Sequence, residues 1–345
     1  MTPVITVLMP VHNGALFLRD SVGSILAQTF KAFELLIVDD LSTDNSLAIA
    51  ESFKDPRVKV IRSEARRGFS GALNVGMDNA AGEYLARMDA DDIALPTRFS
   101  RQLEFMRAHP RVGLCGSWVE TFGDHPSSGR VLAFPLTQAC IRAQALFDNP
   151  FAHPSVMLCR RLFEASGLRF DGSYCPAEDY ELWTRALERM ESANLPAVLL
   201  RYRLHAAGMT LGGKPEMDRQ SLRILARLFG SIGLSPSPEE LVFHRLIGTA
   251  RVPEGWQVSG LASCHDWLLR IREASVRTAQ YDPQAIDKAI QRVWFDVCYR
   301  TLPFGWCAVT SFSSSRFAGD GPDRLKRTML MAAAYIKRRL LKGRS

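Results

Sequence analysis

The sequence predicts the α/β class: a mostly parallel sheet flanked by helices, followed by a mainly helical C-terminal region. Three observations predict it. Short β-branched and aliphatic runs alternate with helical periodicity through the N-terminal third, as a parallel sheet with crossover helices requires. Several of those runs end in turn-forming or acidic residues, at the strand ends where open α/β sheets place their ligands. Beyond about Gly213 the strand patterns stop, and long stretches with apolar residues at spacings of three and four take over.

Taken in order, strands are expected over 5–9, 33–38, 57–61 and 84–88, with helices over 16–28, 45–53 and 71–80 between them. This is the layout of a nucleotide-binding half-domain. A helix over 97–108 precedes an apolar strand over 112–119. The connection 123–135, rich in Gly, Pro and Ser, then interrupts the pattern as a loop beside a site would. A helix over 138–147, a strand over 155–159, a helix over 178–190 and a strand over 197–202 follow. Five helical stretches, 216–229, 239–249, 263–278, 283–299 and 324–341, make up the rest. A boundary is expected near residue 214, giving a first domain over 1–214 and a helical region over 215–345.

Composition excludes several classes. An apolar fraction of 47% with 23% charged residues in 345 is that of a folding globular chain, not a disordered one. The start, MTPVITVLMPVHNG, lacks a basic n-region and reaches Pro10 before any apolar run is long enough for a signal peptide. No uncharged apolar stretch reaches the roughly 18 residues a membrane span needs. A cytoplasmic location is therefore expected. The seven cysteines are scattered without CxxC spacing, so reduced core thiols are expected in place of a zinc or redox site. Much of the net charge of +7 lies at the extreme C-terminus, which argues for a basic tail and against a nucleic-acid-binding domain.

The chemistry-bearing residues sit at the strand ends. Pro10-Val11-His12-Asn13-Gly14 makes a tight turn after the first strand. The second strand ends in Asp39-Asp40, two carboxylates able to accept from a nucleobase and a ribose. Adjacent acids after an apolar strand repel unless a donor or cation meets them. Ser42, Thr43 and Asp44 read better as helix caps than as ligand contacts. The fourth strand ends in Asp89-Ala90-Asp91-Asp92, an oxygen-rich set suited to a hard divalent ion. Glu178-Asp179 opens a helix, where acids also favour the macrodipole.

The ordered set VLMPVHNG, VDDLSTD, RRGFSGALNVGMDNAAGEY, RMDADD, HPSVMLCRR, CPAEDYELWTRAL and YRLH resembles glycosyltransferase family 2, whose fold is GT-A. The resemblance runs over about residues 3–210. It implies an inverting transfer of one sugar from a nucleoside diphosphate sugar, UDP by default, to a hydroxyl of a glycan or lipid-linked acceptor. It implies that Pro10, Val11 and Asn13 shape the nucleotide pocket, that Asp40 binds the base with Asp39 in support, and that Arg67 approaches the diphosphate. Asp89, Asp91 and Asp92 would hold Mn2+ or Mg2+ and ribose, with His205 as a further metal or phosphate contact and Asp91 the leading ligand. Asp179 would be the base, with Glu178 beside it. His153 lies where the family often has a histidine near the acceptor or diphosphate, and Trp183 falls on the Asp179 face of its helix. No QxxRW-like motif follows Asp179 before Gly213, which favours non-processive transfer.

Two other classes are consistent with a nucleotide pocket. A sugar-1-phosphate nucleotidyltransferase would carry a GxGTR-type loop where this chain has Pro10 to Gly14. A non-catalytic nucleotide-sugar sensor would bind without turnover. Residues 324–342, outside the resemblance, form a basic amphipathic stretch of the kind that lies on anionic membrane surfaces, which adds a contact with the inner face of the cytoplasmic membrane to the expectations.

Overall fold

A computed structural model describes residues 2–63, 67–205, 214–252, 256 and 259–342. The chain divides into two compact units, Met1–Ile141 with Asn149–Ser221, and Arg142–Asp148 with Leu222–Ser345. The boundary expected near residue 214 borders residues 206–213, which lie outside the described residues.

The first unit is built on one sheet. Its strands are β1 (Ile5–Val11), β2 (Phe33–Asp39), β3 (Val58–Arg62), β4 (Tyr84–Arg87), β5 (Ile93–Ala94), β6 (Val112–Phe122), β7 (Val131–Leu132), β8 (Met157–Cys159) and β9 (Glu191–Arg203). They lie in the order β3-β2-β1-β4-β8-β6-β9-β5, with β7 on β6. The β3-β2-β1-β4 half is parallel. Strand β8 runs antiparallel to both β4 and β6, while β6 and β9 pair parallel. Strands β1 and β2 are buried at every position, as strands covered by helices on both faces must be, and this is why they read as continuous apolar runs.

The crossover helices are α1 (Leu18–Leu26), α2 (Ser46–Ser52), α3 (Gly68–Asp78) and α4 (Arg98–Ala108). They are followed by α5 (Gln138–Ala145), α6 (Arg160–Ala165) and α7 (Glu178–Ala186). All the parallel strands of one half point the same way, so the turns after β1, β2 and β4 emerge on one edge. That edge carries the acidic motifs.

Two expectations change. The connection 123–135 is not a plain loop: β7 folds it back onto β6, pairing Val119 with Leu132. The segment Ile93–Ala94 pairs antiparallel with β9, although two residues are too few to show periodicity.

The second unit contains α8 (Lys214–Ser231, its first residues counted with the first unit), α9 (Pro238–Gly248), α10 (Ser259–Arg277), α11 (Pro283–Arg300), α12 (Cys307–Ser314) and α13 (Gly321–Lys342). Its core explains why 142–148 joins it. His244 is fully buried and takes a hydrogen bond from Trp267 Nε1 on Nδ1 at 3.0 Å. Its Nε2 therefore donates to the Leu146 carbonyl at 2.7 Å. Burial pulls this imidazole down to about 4, so it stays neutral. Arg245 then pairs with Asp148 at 2.6 Å.

At the edge of the sheet opposite the acidic turns, Gly82 donates to Thr6 Oγ1, which donates in turn to the buried Glu34. A Cβ at Gly82 would lie 2.7 Å from the Ile5 carbonyl carbon and closer still to the Thr6 amide. Backbone cannot yield as a side-chain tip can. Gly82→Ala should therefore cost roughly 1–3 kcal/mol, read as a lower urea midpoint at unchanged slope.

Candidate active site

The turns after β1 and β2 are stitched together. The Asn13 amide donates to Ser42 Oγ at 3.1 Å, Gly14 N to Ser46 Oγ at 2.8 Å, and Ala15 N to Asp44 Oδ2 at 3.0 Å. Asn13 Oδ1 accepts from Thr43 N at 2.8 Å. Asn13 and Leu41 adopt φ near +56° and +57°, the left-handed region that Asn tolerates and a branched chain does not favour. Asp44 Oδ1 accepts from Ser46 N, but the N-cap position is Asn45, whose side chain makes no capping bond, so Asp44 turns the chain into the helix from one residue outside it, and its other oxygen ties the two turns. Pro10 and Val11 lie inside β1 with their side chains buried, so they contribute the strand that carries the turn.

Asp39 and Asp40, both buried, differ in what they meet. Asp40 Oδ1 accepts the Arg67 amide at 2.8 Å and Oδ2 the Gly68 amide at 2.9 Å. These are N–H groups at the start of α3 that no helical carbonyl serves. Asp39 Oδ2 accepts Ser42 N at 3.3 Å, while Oδ1 is buried without a partner among the described residues. Arg67 itself is exposed at the helix start.

The third turn is the most charged. Asp89, Asp91 and Asp92 bring carboxylate oxygens within 4.8 Å of one another. Asp92 is fully buried, with Oδ1 on the Arg203 amide at 2.7 Å and Oδ2 unpartnered. Burial, then Asp89 and Asp91, push its pKa well up. Burial and Asp89 also raise Asp91, against the lowering bond from His205 Nε2 at 2.9 Å. Three oxygen donors this close, one an orphan, fit a divalent cation. The carboxylate oxygens suit Mn2+ or Mg2+ alike.

Asp179 lies on the first turn of α7. Its Oδ1 accepts the Tyr180 amide at 2.6 Å and its Oδ2 accepts Asn149 Nδ2 at 2.8 Å. Burial raises it to about 6, against the lowering of those bonds, and raises Glu178, which Asp179 also repels, to about 7. His153 Nδ1 stands 3.8 Å from Asp179. Burial and then Arg87 hold this imidazole well below its ordinary value, so it is neutral and makes no ion pair. Trp183 is fully buried against His153 and Phe170, a core position.

Four residues of this site are not among those the sequence singles out. Arg87, 2% exposed at the end of β4, pairs with Asp89. Burial would lower it, but Asp89, with Asp92 and Asp179 nearby, raises it. Arg98 is fully buried beneath the turn and donates to the Arg87 carbonyl at 2.7 Å and the Val156 carbonyl at 3.2 Å. Arg203 Nε donates to the Asp91 carbonyl at 2.7 Å, and its guanidinium lies between Phe17 and Phe122 at 4.1 and 4.3 Å. Asn149 is the fourth. A lone Arg within the apolar strand YLAR was the available clue, because a buried charge needs a partner.

The parallel half of the sheet brings Asp39, Asp40, Asp89, Asp91 and Asp92 to one edge, an α/β architecture of the GT-A kind. The model of the family "Glycosyl transferase family 2" matches residues 6–165, and the chain belongs to that family. The amylovoran biosynthesis glycosyltransferase AmsE of Erwinia amylovora is 35% identical over 190 residues, 54% of this chain and 70% of its own. The Escherichia coli UDP-Glc:alpha-D-GlcNAc-diphosphoundecaprenol beta-1,3-glucosyltransferase WfgD is 26% identical over 219 residues, 63% of this chain and 83% of its own. A glycosyltransferase of Haemophilus influenzae, 30% identical, is spanned over 66% of its length. Among solved structures, S. aureus TarS 1-349 in complex with UDP-GlcNAc superposes at a TM-score of 0.57, with 15% identity, over 97% of this chain and 91% of that one. The mannosyltransferase PcManGT from Pyrobaculum calidifontis, in complex with GDP-Man and Mn2+, gives 0.52 with 17% identity over 98% and 87%. The GT-A fold and glycosyltransferase activity follow.

Arg87→Leu should destabilise the fold by about 3–5 kcal/mol at pH 8, because it strips the cation from buried acids. Asp92 and Asp179 near it have folded-state pKa values above their unfolded ones, so their unpaired charge is present at high pH and vanishes as pH falls. The loss should therefore shrink toward pH 5 in thermal unfolding scans.

Proposed function

We propose that the chain transfers a single sugar, with inversion, from a nucleoside diphosphate sugar to a hydroxyl of a saccharide under assembly. UDP is the nucleotide proposed first. The observation that carries the reading is the pairing of two carboxylate centres in one unit: the Asp89, Asp91, Asp92 cluster, and Asp179 with its pKa raised to about 6. One centre suits a charged leaving group and the other a proton.

The acceptor hydroxyl gives its proton to Asp179 as its oxygen bonds the anomeric carbon from the face opposite the leaving group. The bond from that carbon to the diphosphate oxygen breaks, and the nucleoside diphosphate departs with the electron pair. One displacement inverts the centre. Asn149 and the Tyr180 amide keep Asp179 ionised and aimed. A divalent cation held by Asp91, Asp89 and Asp92, with His205 at the rim, would neutralise charge on the departing diphosphate as a Lewis acid. Glu178, raised to about 7, shares the titration of the pair.

The two acids after β2 are taken to divide their work, with Asp39 toward the base and Asp40 in support. Asp40 spends its carboxylate on the Arg67 and Gly68 amides and builds the pocket wall. Asp39 offers the orphan oxygen that a nucleobase N–H would satisfy. Support for a polyprenyl diphosphate-linked acceptor comes from the name of WfgD. Seven free cysteines fit a reducing cytoplasm, and no described helix is long and apolar enough to cross a membrane.

A panel of nucleotide sugars with Mn2+, scored for thermal stabilisation and for nucleotide release with saccharide acceptors, tests the reading. Binding without release under every acceptor would turn it into that of a sensor. Asp179→Asn should keep donor binding and lose on the order of 10²- to 10⁴-fold in kcat. In the parent enzyme the rate should fall as pH drops through about 6, where Asp179 takes up its proton. Asp91→Ala should weaken Mn2+-dependent donor binding. Asp39→Asn should weaken nucleotide binding at unchanged stability, whereas Asp40→Asn should lower the melting temperature as well.

A further inference from the structure

The last helix, α13, packs on the second unit by one face only. Met331 on that face is fully buried, Tyr335 meets Trp306 edge-on at 5.4 Å, and Arg327 and Arg338 lie over the Phe295 and Tyr299 rings at 5.5 and 5.7 Å. The opposite face carries Leu325, Met329 and Ile336, 63%, 63% and 52% exposed. Their spacings of four and seven residues set them in one row along the helix. Helical geometry puts Lys326 and Lys337 along one edge of the row and Arg339 along the other, and the only acid in α13 is Asp323 in its first turn.

We propose that this face of α13 docks on an anionic phospholipid bilayer. The row is apolar where acyl chains would receive it. Its flanks carry long cationic side chains, whose stems can lie along the helix while their heads reach lipid phosphates. The charge pattern selects this occupant over a second copy of the chain, because a self-paired face would set basic edge against basic edge with no acid to answer them. A protein with an exposed apolar row of this kind in water carries a cost that a membrane interface removes. The inference rests on α13 alone, and it concerns a surface that the proposed reaction does not use.

The test is sedimentation of the full chain with vesicles, a readout that involves neither nucleotide nor sugar. Binding is expected to phosphatidylcholine vesicles containing phosphatidylglycerol and not to phosphatidylcholine alone, and it should weaken with added salt. Replacing Lys326, Lys337 and Arg339 by Gln should lower the partition coefficient roughly fivefold per charge. Leu325→Glu with Met329→Glu should abolish binding while the melting temperature stays put, since both side chains are exposed. Equal binding to neutral vesicles, no binding to anionic ones, or unchanged binding by the double Glu variant would each overturn the proposal. So would an oligomer that the double Glu variant dissociates in sedimentation velocity, which would assign the face to self-association.

Discussion

The site depends on how buried carboxylates are kept tolerable at the ends of parallel strands. Asp92 is fully buried and Asp39 nearly so, in surroundings where an isolated carboxylate would surrender its charge. The fold answers with cations beneath and beside the turn. Arg87 meets Asp89, Arg98 clamps the strand that presents it, and Arg203 grips the turn by main-chain contacts while its guanidinium is held between two rings. Burial lowers Arg98 to about 9, which still leaves it charged at neutral pH. What the cations leave uncompensated are oxygens on Asp39 and Asp92 that have no partner among the described residues.

Much of this was legible because strand ends write themselves plainly. β1, β2 and β4 are apolar runs that stop at Asn13, Asp39 and Asp89, and parallel topology forces such stops onto one edge. The α7 start was legible through Glu178 and Asp179. What stayed hidden was tertiary. Arg87 sits in the motif RMDADD yet looks like strand filler until its burial is known. Asn149 lies thirty residues from Asp179, and no spacing rule connects them. Two-residue strands such as β5 and β7 exist only because a partner pairs with them, so no periodicity could announce them.

The helical C-terminal region shows the same limit from the other side. Its helices were visible as amphipathic periods, because a 3.6-residue repeat is a local property. That residues 142–148 join this unit was not visible. The joining contacts, His244 to the Leu146 carbonyl and Arg245 to Asp148, use a histidine and an arginine within a helix whose pattern alone reads as ordinary.

The contrast between Asp39 and Asp40 has a consequence for how such a pocket can change. One carboxylate is architecture, fastening the start of α3, and its neighbour keeps one oxygen without a partner among the described residues. Because these two states sit on adjacent residues and not on one, Asp39 can change without unmaking the hold on α3. The scaffold then stays constant while a single side chain beside it varies.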